Sequence, residues 1–416
     1  MEAREQRGLV LAARSNIRRK GSLWQVPSAQ LGNHGYLVSL DKQTCTCLDH
    51  QEGGHKCKHI YAAEIVFQRE FEFNEDGTVT EVTTLATVQQ VRKTYPQQWA
   101  NYNRAQTSEK ELFQKLLHEL CKSIPESTET KMGRPRLPIR DGIFAAVFKV
   151  YSMLSSRRFT TDLREAHAKG YISKVPHFNS VLNVFDSAET AEILKSLVSL
   201  SASPLAAIET NFAVDSTGFS GCRYDQWYVT KWKNAIPRVI KTWVKAHAMI
   251  GVTTNVVTAV DTSDKDANDS PMLVPLMQET ARRFKIGDVC ADKAYISEGN
   301  LHAIAEVGGN AFIPFKKNAS ACRPGVWNTA YHYFNLHREA FLARYHQRSN
   351  VESTFSMIKR KFADSVKAKN DQSMKCEVLA KFVCHNLCCL IQAMQEFGID
   401  PSFGCTTIPA PAHKGA

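Results

Sequence analysis

Hydrophobic and polar residues alternate with different periods along the chain, and the changes of period mark its elements. Residues 36–40 alternate as a β-strand does, whereas residues 60–67 carry the 3.6-residue spacing of a helix. The stretch 70–82 predicts a hairpin around Asn74-Glu-Asp-Gly. An amphipathic helix is predicted from about 109 to 124, with leucines along one face. The first third of the chain therefore combines short strands with helices.

The remainder of the chain changes from helical patterns to strand patterns. Residues 138–200 carry short helical patterns and almost no strand signal. After Pro204, β-branched and apolar runs predict strands at 211–215, 242–251, 256–260, 287–291 and 311–314. Helices are predicted from Ser270, from about 343 to 362 and from 376 to 397. Strands followed by alternating strands and helices indicate an α/β or α+β domain.

Composition excludes several classes of protein. Of the 416 residues, 43% are hydrophobic and 22% are charged, which indicates a globular chain and excludes a disordered or fibrous one. No apolar run approaches the roughly 18–20 residues that a membrane span needs. The apolar segment from Gly8 to Ala13 is closed by Arg14 and is too short for a signal peptide. We therefore expect a cytosol-like location and no membrane partner.

Charge indicates the kind of partner. The chain carries 52 Lys and Arg residues against 41 Asp and Glu residues, a formal net charge of +11. Residues 338–369 alone hold eight basic and three acidic residues. Concentrated positive charge favours a polyanionic partner such as nucleic acid. On charge alone, a generally basic soluble protein remains the alternative.

A cluster of metal-ligand residues stands near the N-terminus. Its spacing is Cys45-x-Cys47-x9-Cys57-x-His59, which places four borderline-soft donors within fifteen residues. This donor set is typical of a closed tetrahedral Zn²⁺ site that stabilises a segment too small for its own core. His50 and His55 in the intervening loop are competing ligands, and a chance Cys/His patch is the alternative.

The same spacing, with Trp24 upstream, resembles the SWIM zinc finger, whose pattern is Cys-x-Cys-x(n)-Cys-x-His. The likeness covers about residues 20–70. It implies either DNA binding or contact with another protein, and it does not choose between them.

Three carboxylates are candidates for a second metal site. Asp215 ends one predicted strand and Asp292 follows another, so both are expected at the rim of the sheet. Carboxylates that face one cleft can share hard divalent cations. Two such cations activate a water or a 3′-hydroxyl and stabilise the leaving oxygen in phosphodiester chemistry. A third carboxylate is needed from elsewhere, and Glu352 supplies it.

The helix predicted at 343–362 presents Glu352 beside cations. Within an arc of about 60° on its wheel lie four polar residues: Tyr345, Arg348, Glu352 and Lys359. The adjoining edge is an apolar stripe: Val351, Phe355, Ile358 and Phe362. One edge therefore anchors the helix, while the other presents a carboxylate flanked by groups that bind phosphates.

These residues resemble a large group of prokaryotic DDE insertion-sequence transposases, whose signature is Y-x2-R-x3-E-x6-K. That signature is present in full from Tyr345 to Lys359, and Asp-Ser-Thr-Gly at 215–218 and Asp-Lys-Ala-Tyr at 292–295 are similar to the two aspartate motifs. The likeness spans about residues 131–392. Two departures are the SWIM-like module and the short interval from Asp292 to Glu352, which leaves no room for a large inserted β-subdomain.

The resemblance implies a function and its cofactors. It implies an α/β fold with an RNase H-like mixed sheet flanked by helices, and cleavage and joining of double-stranded DNA at transposon ends and target. It also implies that Asp215, Asp292 and Glu352 hold Mg²⁺ or Mn²⁺, while Tyr345, Arg348 and Lys359 contact the DNA end. A homodimer on paired ends, and a cytoplasmic, nucleoid-associated protein of a prokaryotic host, are expected.

Five segments are predicted along the chain. They are a zinc-binding module at 1–83, a helical linker at 84–130, a helical DNA-binding region at 131–204, the catalytic domain at 205–397 and a tail at 398–416. A non-catalytic DNA-binding regulator with a transposase scaffold is the alternative function. Retention of all three acids favours the enzyme, because a binding protein has no need of acids near phosphates.

Other signals carry less weight. The acidic run 261–269 lacks the glycine and the glutamate of a calcium loop, which favours a strand-to-helix connection. Gly133-Arg-Pro-Arg is a single AT-hook-like copy in a linker. The basic, aromatic stretch 227–245 fits DNA stacking and core tryptophans equally well. Cys384, Cys388 and Cys389 beside His385 have the periodicity of a buried helix rather than of a metal site.

Overall fold

In the computed structural model the chain folds as two compact units, Met1–Pro96 and Gln97–Ala416. The structure describes residues 3–28, 35–73, 79–81, 98–126, 137–221, 243–264, 267–320 and 324–403. Gly133-Arg-Pro-Arg and most of the stretch 227–245 lie outside the described residues. The five-segment division stays a prediction.

The first unit consists of short strands and helices. Its described helices are α1 (Ala3–Arg14), α2 (Leu48–Gly53) and α3 (Lys58–Glu70). Its described strands are β1 (Arg18–Lys20), β2 (Leu23–Pro27), β3 (Gly35–Ser39), β4 (Thr44–Cys45), β5 (Phe71–Phe73) and β6 (Val79–Glu81). Strands β1 to β4 form an antiparallel sheet in chain order. Strands β5 and β6 pair as the predicted hairpin.

Helix α1 packs against α3 at Gly8. A Cβ atom at Gly8 would lie 2.5 Å from Cβ of Tyr61 and 3.0 Å from the carbonyl oxygen of Lys58, so a larger residue would push the helices apart. The sequence pattern does not predict α1. Among its described side chains only Gly8 and Leu11 are buried, which is too few to produce a helical periodicity.

The second unit holds a larger set of helices and one sheet. Its described α-helices are α4 (Trp99–Thr107), α5 (Glu109–Cys121), α6 (Ile139–Ser152), α7 (Ser156–Ala168), α8 (Phe178–Asn183), α9 (Ala188–Ala202), α10 (Leu273–Ala281), α11 (Glu298–Glu306), α12 (Val326–Leu336), α13 (Arg338–Tyr345), α14 (Ser349–Phe362) and α15 (Asp371–Phe397). Its described strands are β7 (Phe212–Ser220), β8 (Trp243–Gly251), β9 (Val257–Ser263), β10 (Asp288–Ala291) and β11 (Asn310–Phe312). Short 3₁₀ turns stand at Val184–Asp186, Ser203–Leu205, Ser270–Met272, Lys293–Tyr295 and His346–Arg348.

The sheet of the second unit is mixed. Its strand order is β11-β10-β7-β8-β9, with β7 at the centre. Strand β10 pairs in parallel with β7 and β11, whereas β8 pairs antiparallel with β7 and β9. The predicted fold class, an α/β domain with an RNase H-like mixed sheet and a preceding Cys/His module, is confirmed.

Helix α15 forms the core of this unit. It packs against α6, α9 and β9, and 83% of its most apolar 18-residue window is buried. By length and composition it is apolar enough to cross a membrane, so the expectation that no run approaches that length is wrong. Its burial is that of a core helix. Cys384 and His385 are both buried in it, which confirms the prediction of core packing for this segment.

Asn386 of α15 connects the helix to the sheet. Its Oδ1 accepts a hydrogen bond from the amide of Val257 at 2.8 Å. Its Nδ2 donates to the carbonyl oxygens of Val257 and Val198 at 2.7 and 3.0 Å, and to Ser201 Oγ at 3.0 Å. The side chain is fully buried, so each of these bonds lies away from water.

Replacing Asn386 with alanine should therefore destabilise the second unit. Each buried polar group left without a partner costs about 1–3 kcal/mol, so the free energy of unfolding should fall by roughly 2–4 kcal/mol. Denaturant unfolding of the purified full chain measures this loss. Asn335→Ala is the matched control, since that exposed amide donates only to the carbonyl oxygen of Tyr331. Equal unfolding midpoints for Asn386→Ala and the unmodified chain would contradict the prediction.

Candidate active site and zinc site

Two aspartates lie side by side on the central strands of the second unit. Strands β7 and β10 pair with Val214 opposite Ala291. Asp215 follows Val214 and Asp292 follows Ala291, so the two aspartates lie next to each other across the two strands. The expectation that Asp215 ends its strand is wrong. Strand β7 continues to Ser220 because β8 pairs with it along its whole length.

Both aspartates are fixed by the backbone that follows them. Asp215 Oδ1 accepts a hydrogen bond from the amide of Ser216 at 2.8 Å. Asp292 Oδ1 accepts one from the amide of Lys293 at 2.7 Å and caps the 3₁₀ turn that begins there. Because one oxygen of each carboxylate is held in this way, the orientation of both groups is set before any ligand arrives.

Glu352 comes to the site on α14, which contacts β7. The predicted core stripe of this helix is buried: Val351, Phe355, Ile358 and Phe362. The prediction of one helix over 343–362 is wrong, since α13 ends at Tyr345 and the turn His346–Arg348 separates it from α14. Tyr345 therefore does not share a continuous helical face with Glu352.

Arg348 connects the strand to the helix. Its Nη1 donates to Asp215 Oδ2 at 2.7 Å and its Nη2 donates to Glu352 Oε1 at 2.8 Å. Arg348 and Asp215 are about four-fifths buried, whereas Glu352 is 63% exposed. The guanidinium thus lies between two of the three predicted carboxylates.

The three carboxylates also act on one another electrostatically. Burial raises the pKa of Asp215, the positive charge of Arg348 opposes this rise, and the negative charges of Asp292 and Glu352 add to it. Burial acts to lower the pKa of Arg348, but Asp215 and its other neighbours raise it overall. The site is therefore a group of three negative charges that the guanidinium of Arg348 partly neutralises.

The carboxylates suit a hard divalent cation by chemistry, although they do not converge on one point. Within the described part of the chain, one group of three or more ligand side chains has all its ligand atoms within 4.8 Å of one another, and it is the Cys/His group. The three carboxylates are spaced more widely, with Arg348 between two of them. A cation shared by all three requires the Arg348 side chain to move.

Lys359 and Tyr345 lie on either side of this centre along the chain. Lys359 is seven residues beyond Glu352, about 10 Å along α14, with its ammonium 5.4 Å from the ring centroid of Phe219. Tyr345 stacks on Phe341 with ring centroids 6.2 Å apart. The guanidinium carbon of Arg348 lies 6.0 Å from the Tyr345 ring. Of the two predicted cations, Arg348 therefore contacts the acids directly, whereas Lys359 lies farther along α14.

An ion pair that the sequence pattern does not reveal holds α13 in place. Arg344 Nη1 donates to Asp288 Oδ2 at 2.7 Å, and the side chain of Asp288 is only 8% exposed. Asp288 begins β10, so the pair fastens α13 to the strand that leads to Asp292. Arg344 and Arg348, four residues apart, thereby reach carboxylates of two neighbouring strands. No local signal identifies partners 56 residues apart.

The acidic run 261–269 connects β9 to the turn at Ser270–Met272, as predicted for a strand-to-helix connection. Its described carboxylates pair with lysines rather than with one another: Asp261 with Lys195, Asp264 with Lys375 and Asp269 with Lys245. Each described aspartate of this run therefore pairs with a different lysine.

The predicted ligands of the first unit do converge. Ligand atoms of four buried residues lie within 4.8 Å of one another: Cys45, Cys47, Cys57 and His59. Cys45 ends β4 and Cys47 precedes α2, while His59 is in the first turn of α3. Three thiols and one imidazole are a donor set for tetrahedral zinc. A hydrogen bond from Cys45 lowers the pKa of Cys57 well below that of a free thiol.

The competing histidines are engaged elsewhere. His50 Nδ1 lies 2.8 Å from the carbonyl oxygen of His55. His55 Nε2 lies 3.1 Å from Asp49 Oδ1, and its Nδ1 lies 2.9 Å from the carbonyl oxygen of Gly53. Both rings thus brace the loop between the two ligand pairs.

Comparison with known proteins agrees with both sites. Residues 208–387 match the family model of the transposase DDE domain, and residues 36–68 match that of the SWIM zinc finger. Asp215, Asp292 and Glu352 fall within the first match. No curated protein and no solved structure matched the chain. The chain therefore carries an N-terminal SWIM zinc finger followed by a transposase DDE domain.

Proposed function

We propose that this protein is a DNA transposase that cleaves DNA strands at transposon ends and joins them to a target. The observation that carries the proposal is the placement of the three acids around one edge of the sheet. Asp215 of β7 and Asp292, directly after β10, lie side by side, and Glu352 is joined to Asp215 through Arg348. The transposase DDE domain supports this function.

The proposed roles follow from the chemistry of each group. Asp215, Asp292 and Glu352 would hold Mg²⁺ or Mn²⁺. Two such cations, when bound, activate the attacking water or 3′-hydroxyl and stabilise the leaving oxygen. Arg348 would leave the carboxylates and donate its planar pair of N–H groups to a phosphate of the DNA end. Lys359 would contact a phosphate farther along α14, and Tyr345 would contact the DNA end beside Arg348.

The assembly and location follow from the same reaction. Joining two transposon ends requires two active centres on one DNA complex, so we propose a homodimer on paired ends. We further propose that the helical region at 131–204 contributes to DNA binding, and that the protein works in the cytoplasm of a prokaryote, associated with the nucleoid. The SWIM zinc finger would read DNA or contact a partner protein.

A second function is favoured by one observation. The guanidinium of Arg348 pairs with both Asp215 and Glu352, which is an arrangement that needs no cation. A catalytically silent DNA-binding regulator would retain this ion-pair network for stability alone. The two functions differ in strand cleavage and in metal binding, and both can be measured.

We also propose that Cys45, Cys47, Cys57 and His59 bind one structural zinc ion. Their convergence, their burial and the SWIM match support this assignment. The three thiolates and one neutral imidazole would satisfy a tetrahedral ion, whose binding free energy contributes to folding of this small unit.

The first prediction concerns catalysis. Asp215→Asn, Asp292→Asn and Glu352→Gln each keep the volume of the side chain and remove one negative charge. Each should reduce Mg²⁺- or Mn²⁺-dependent cleavage of end-containing DNA on the order of 10³-fold or more, and the losses should not add, because the acids act as one unit. DNA binding should be unchanged or tighter, since acids beside phosphates repel them.

The control for catalysis is Glu339→Gln, which removes an exposed acid of α13. Cleavage by this variant should equal that of the unmodified chain. Full cleavage by any one triad variant would remove that residue from the active site. Tight DNA binding without cleavage by the unmodified chain, with either metal, would instead support the regulator.

The second prediction concerns Arg348. Because its guanidinium competes with a cation for Asp215 and Glu352, Arg348→Ala should raise the affinity for Mn²⁺ by about tenfold or more. The same variant should weaken binding to transposon-end DNA. Titration calorimetry with Mn²⁺ and fluorescence anisotropy with labelled DNA measure the two effects.

Arg344→Ala is the matched control for Arg348, since Arg344 pairs with Asp288 rather than with the candidate triad. Its affinity for Mn²⁺ should stay near that of the unmodified chain. A lower Mn²⁺ affinity in Arg348→Ala would show that Arg348 helps to form the metal site rather than filling it.

The third prediction concerns zinc. The purified chain should contain one zinc per molecule by elemental analysis, and Cys57→Ser should lose it together with protease resistance of the first unit. His50→Ala should retain full zinc content, because His50 lies outside the ligand group. Zinc-free protein that keeps a protease-resistant first unit would overturn the assignment.

A further inference from the structure

A cavity of about 410 Å³ lies in the second unit, away from the three carboxylates. The end of α6, the start of α7 and the segment between α14 and α15 form its walls. Its lining includes Lys149, Met153, Ser155, Phe362, Ala363 and Lys367. The surface of its walls is mainly apolar.

Among the described residues, Lys149 is a largely buried cation that lacks a hydrogen-bonded partner. It is only 7% exposed, and its ammonium forms no hydrogen bond or ion pair with any residue that the structure describes. Burial, reinforced by the charge of Lys367 and opposed by that of Glu377, lowers the pKa of Lys149 to about 8. Burial of an unpaired ammonium is costly, and this cost is offset when an anion binds beside it.

The acids that line the cavity do not serve as that anion. Glu377 accepts hydrogen bonds from the amides of Lys367 and Ala368 at 2.9–3.0 Å. Asp186 accepts from Asn370 Nδ2 and from the hydroxyl of Ser373. The hydrogen bonds of both carboxylates thus go to neighbours other than Lys149, and Glu377 acts on Lys149 through its charge alone.

A second buried lysine of the cavity is satisfied, which sets Lys149 apart. Lys381 Nζ donates to the carbonyl oxygens of Ala363 and Ser365 at 2.9 and 2.8 Å. Lys367 Nζ donates to the carbonyl oxygen of Met153 at 3.1 Å. Lys149 therefore differs from Lys381 in being buried without a hydrogen bond for its ammonium, whereas Lys369, which also lines the cavity, is exposed.

The start of α7 also faces the cavity without a cap. Ser155 is its N-cap residue, yet the Ser155 side chain makes no capping hydrogen bond. The first turn holds no acidic residue, and it carries Arg157 and Arg158. Free amides and positive charge at a helix N-terminus favour a bound anion.

The backbone around the cavity is held in unusual conformations. Met153 has φ 57° and Ala363 has φ 68° with ψ 150°, a region that side chains rarely adopt. Their carbonyl oxygens are the ones that Lys367 and Lys381 hold. Strain of this kind persists where the surrounding structure fixes it, and it concentrates at ligand sites.

We propose that this cavity is a phosphate-binding site, in which the Lys149 ammonium and the amides at the start of α7 hold the phosphate. The apolar wall that includes Phe362 would cover the organic part of the ligand. The phosphate belongs either to a free mononucleotide or to a DNA strand. The DNA source rests on the proposed function: Phe362 is ten residues beyond Glu352 on α14, about 15 Å, or roughly four base-pair steps along a duplex.

Lys149→Met tests the site, because it keeps the length of the side chain and removes the charge. Calorimetric titrations of the full chain use three probes: inorganic phosphate, deoxyadenosine monophosphate and a DNA duplex with a transposon end. At least one probe should bind about tenfold or more weakly to Lys149→Met than to the unmodified chain. Lys169→Met is the matched control, since its ammonium pairs with Glu165 on the surface. This control should bind every probe as the unmodified chain does.

The pattern of losses identifies the source of the phosphate. Weaker binding of phosphate or of the mononucleotide assigns the cavity to a free ligand. Weaker binding of the duplex alone, with the slope of log affinity against log salt reduced by about 0.9, assigns it to a DNA strand. Neither result depends on cleavage, so failure of the proposed catalytic function would leave this test intact.

Ser155→Asp provides an independent variant. Its carboxylate would cap α7 and occupy the phosphate position, so it should stabilise the fold and weaken binding of the same probe. Unchanged affinity for all three probes in either folded variant would overturn the proposal. Loss of binding in Lys169→Met to the same extent as in Lys149→Met would also overturn it, because the effect would then be one of net charge.

Discussion

Strand β7 pairs in parallel with β10 and antiparallel with β8, and the candidate active centre depends on this double pairing. The pairing with β10 brings Asp215 and Asp292 to the same level of the sheet. The pairing with β8 continues past Asp215 and keeps it within the strand rather than at a loose end. A carboxylate in that position is largely buried, and burial raises its pKa. The sheet therefore buries the carboxyl group of Asp215, whose charged form is stabilised by a nearby cation.

Arg348 supplies that cation in the structure, and it connects the sheet to the helices that follow. Arg344 of α13 reaches Asp288 of β10, while Arg348 reaches Asp215 of β7. Residues four apart lie on neighbouring turns of one helical face, and neighbouring strands lie about 5 Å apart, so two such arginines can reach two adjacent strands. The ion pairs of Arg348 thereby connect β7 to Glu352 of α14.

Positive charge in the second unit is partly withdrawn from water at several places. Burial lowers the pKa of Lys149 and of Lys381 to about 8, and it also lowers that of Lys359. A cation in a poorly hydrated position attracts an anion more strongly than one on an open surface. Of these groups, Lys381 is satisfied by carbonyl oxygens, so any such attraction falls to Lys149 and Lys359.

The sequence by itself determined the Cys/His ligand group, the kinds of domain and most of the elements. The spacing of Cys45, Cys47, Cys57 and His59 was sufficient because a local turn-and-helix segment brings ligands close together in sequence close together in space. The alternation of apolar residues predicted the strands and the buried stripe of α14, since both patterns are local. Only the tertiary structure decided the turn after Tyr345, the bridge from Arg348 to Asp215 and the isolation of Lys149. Each of these depends on groups far apart in the chain, whose contacts are set by strand order and helix packing rather than by any local pattern.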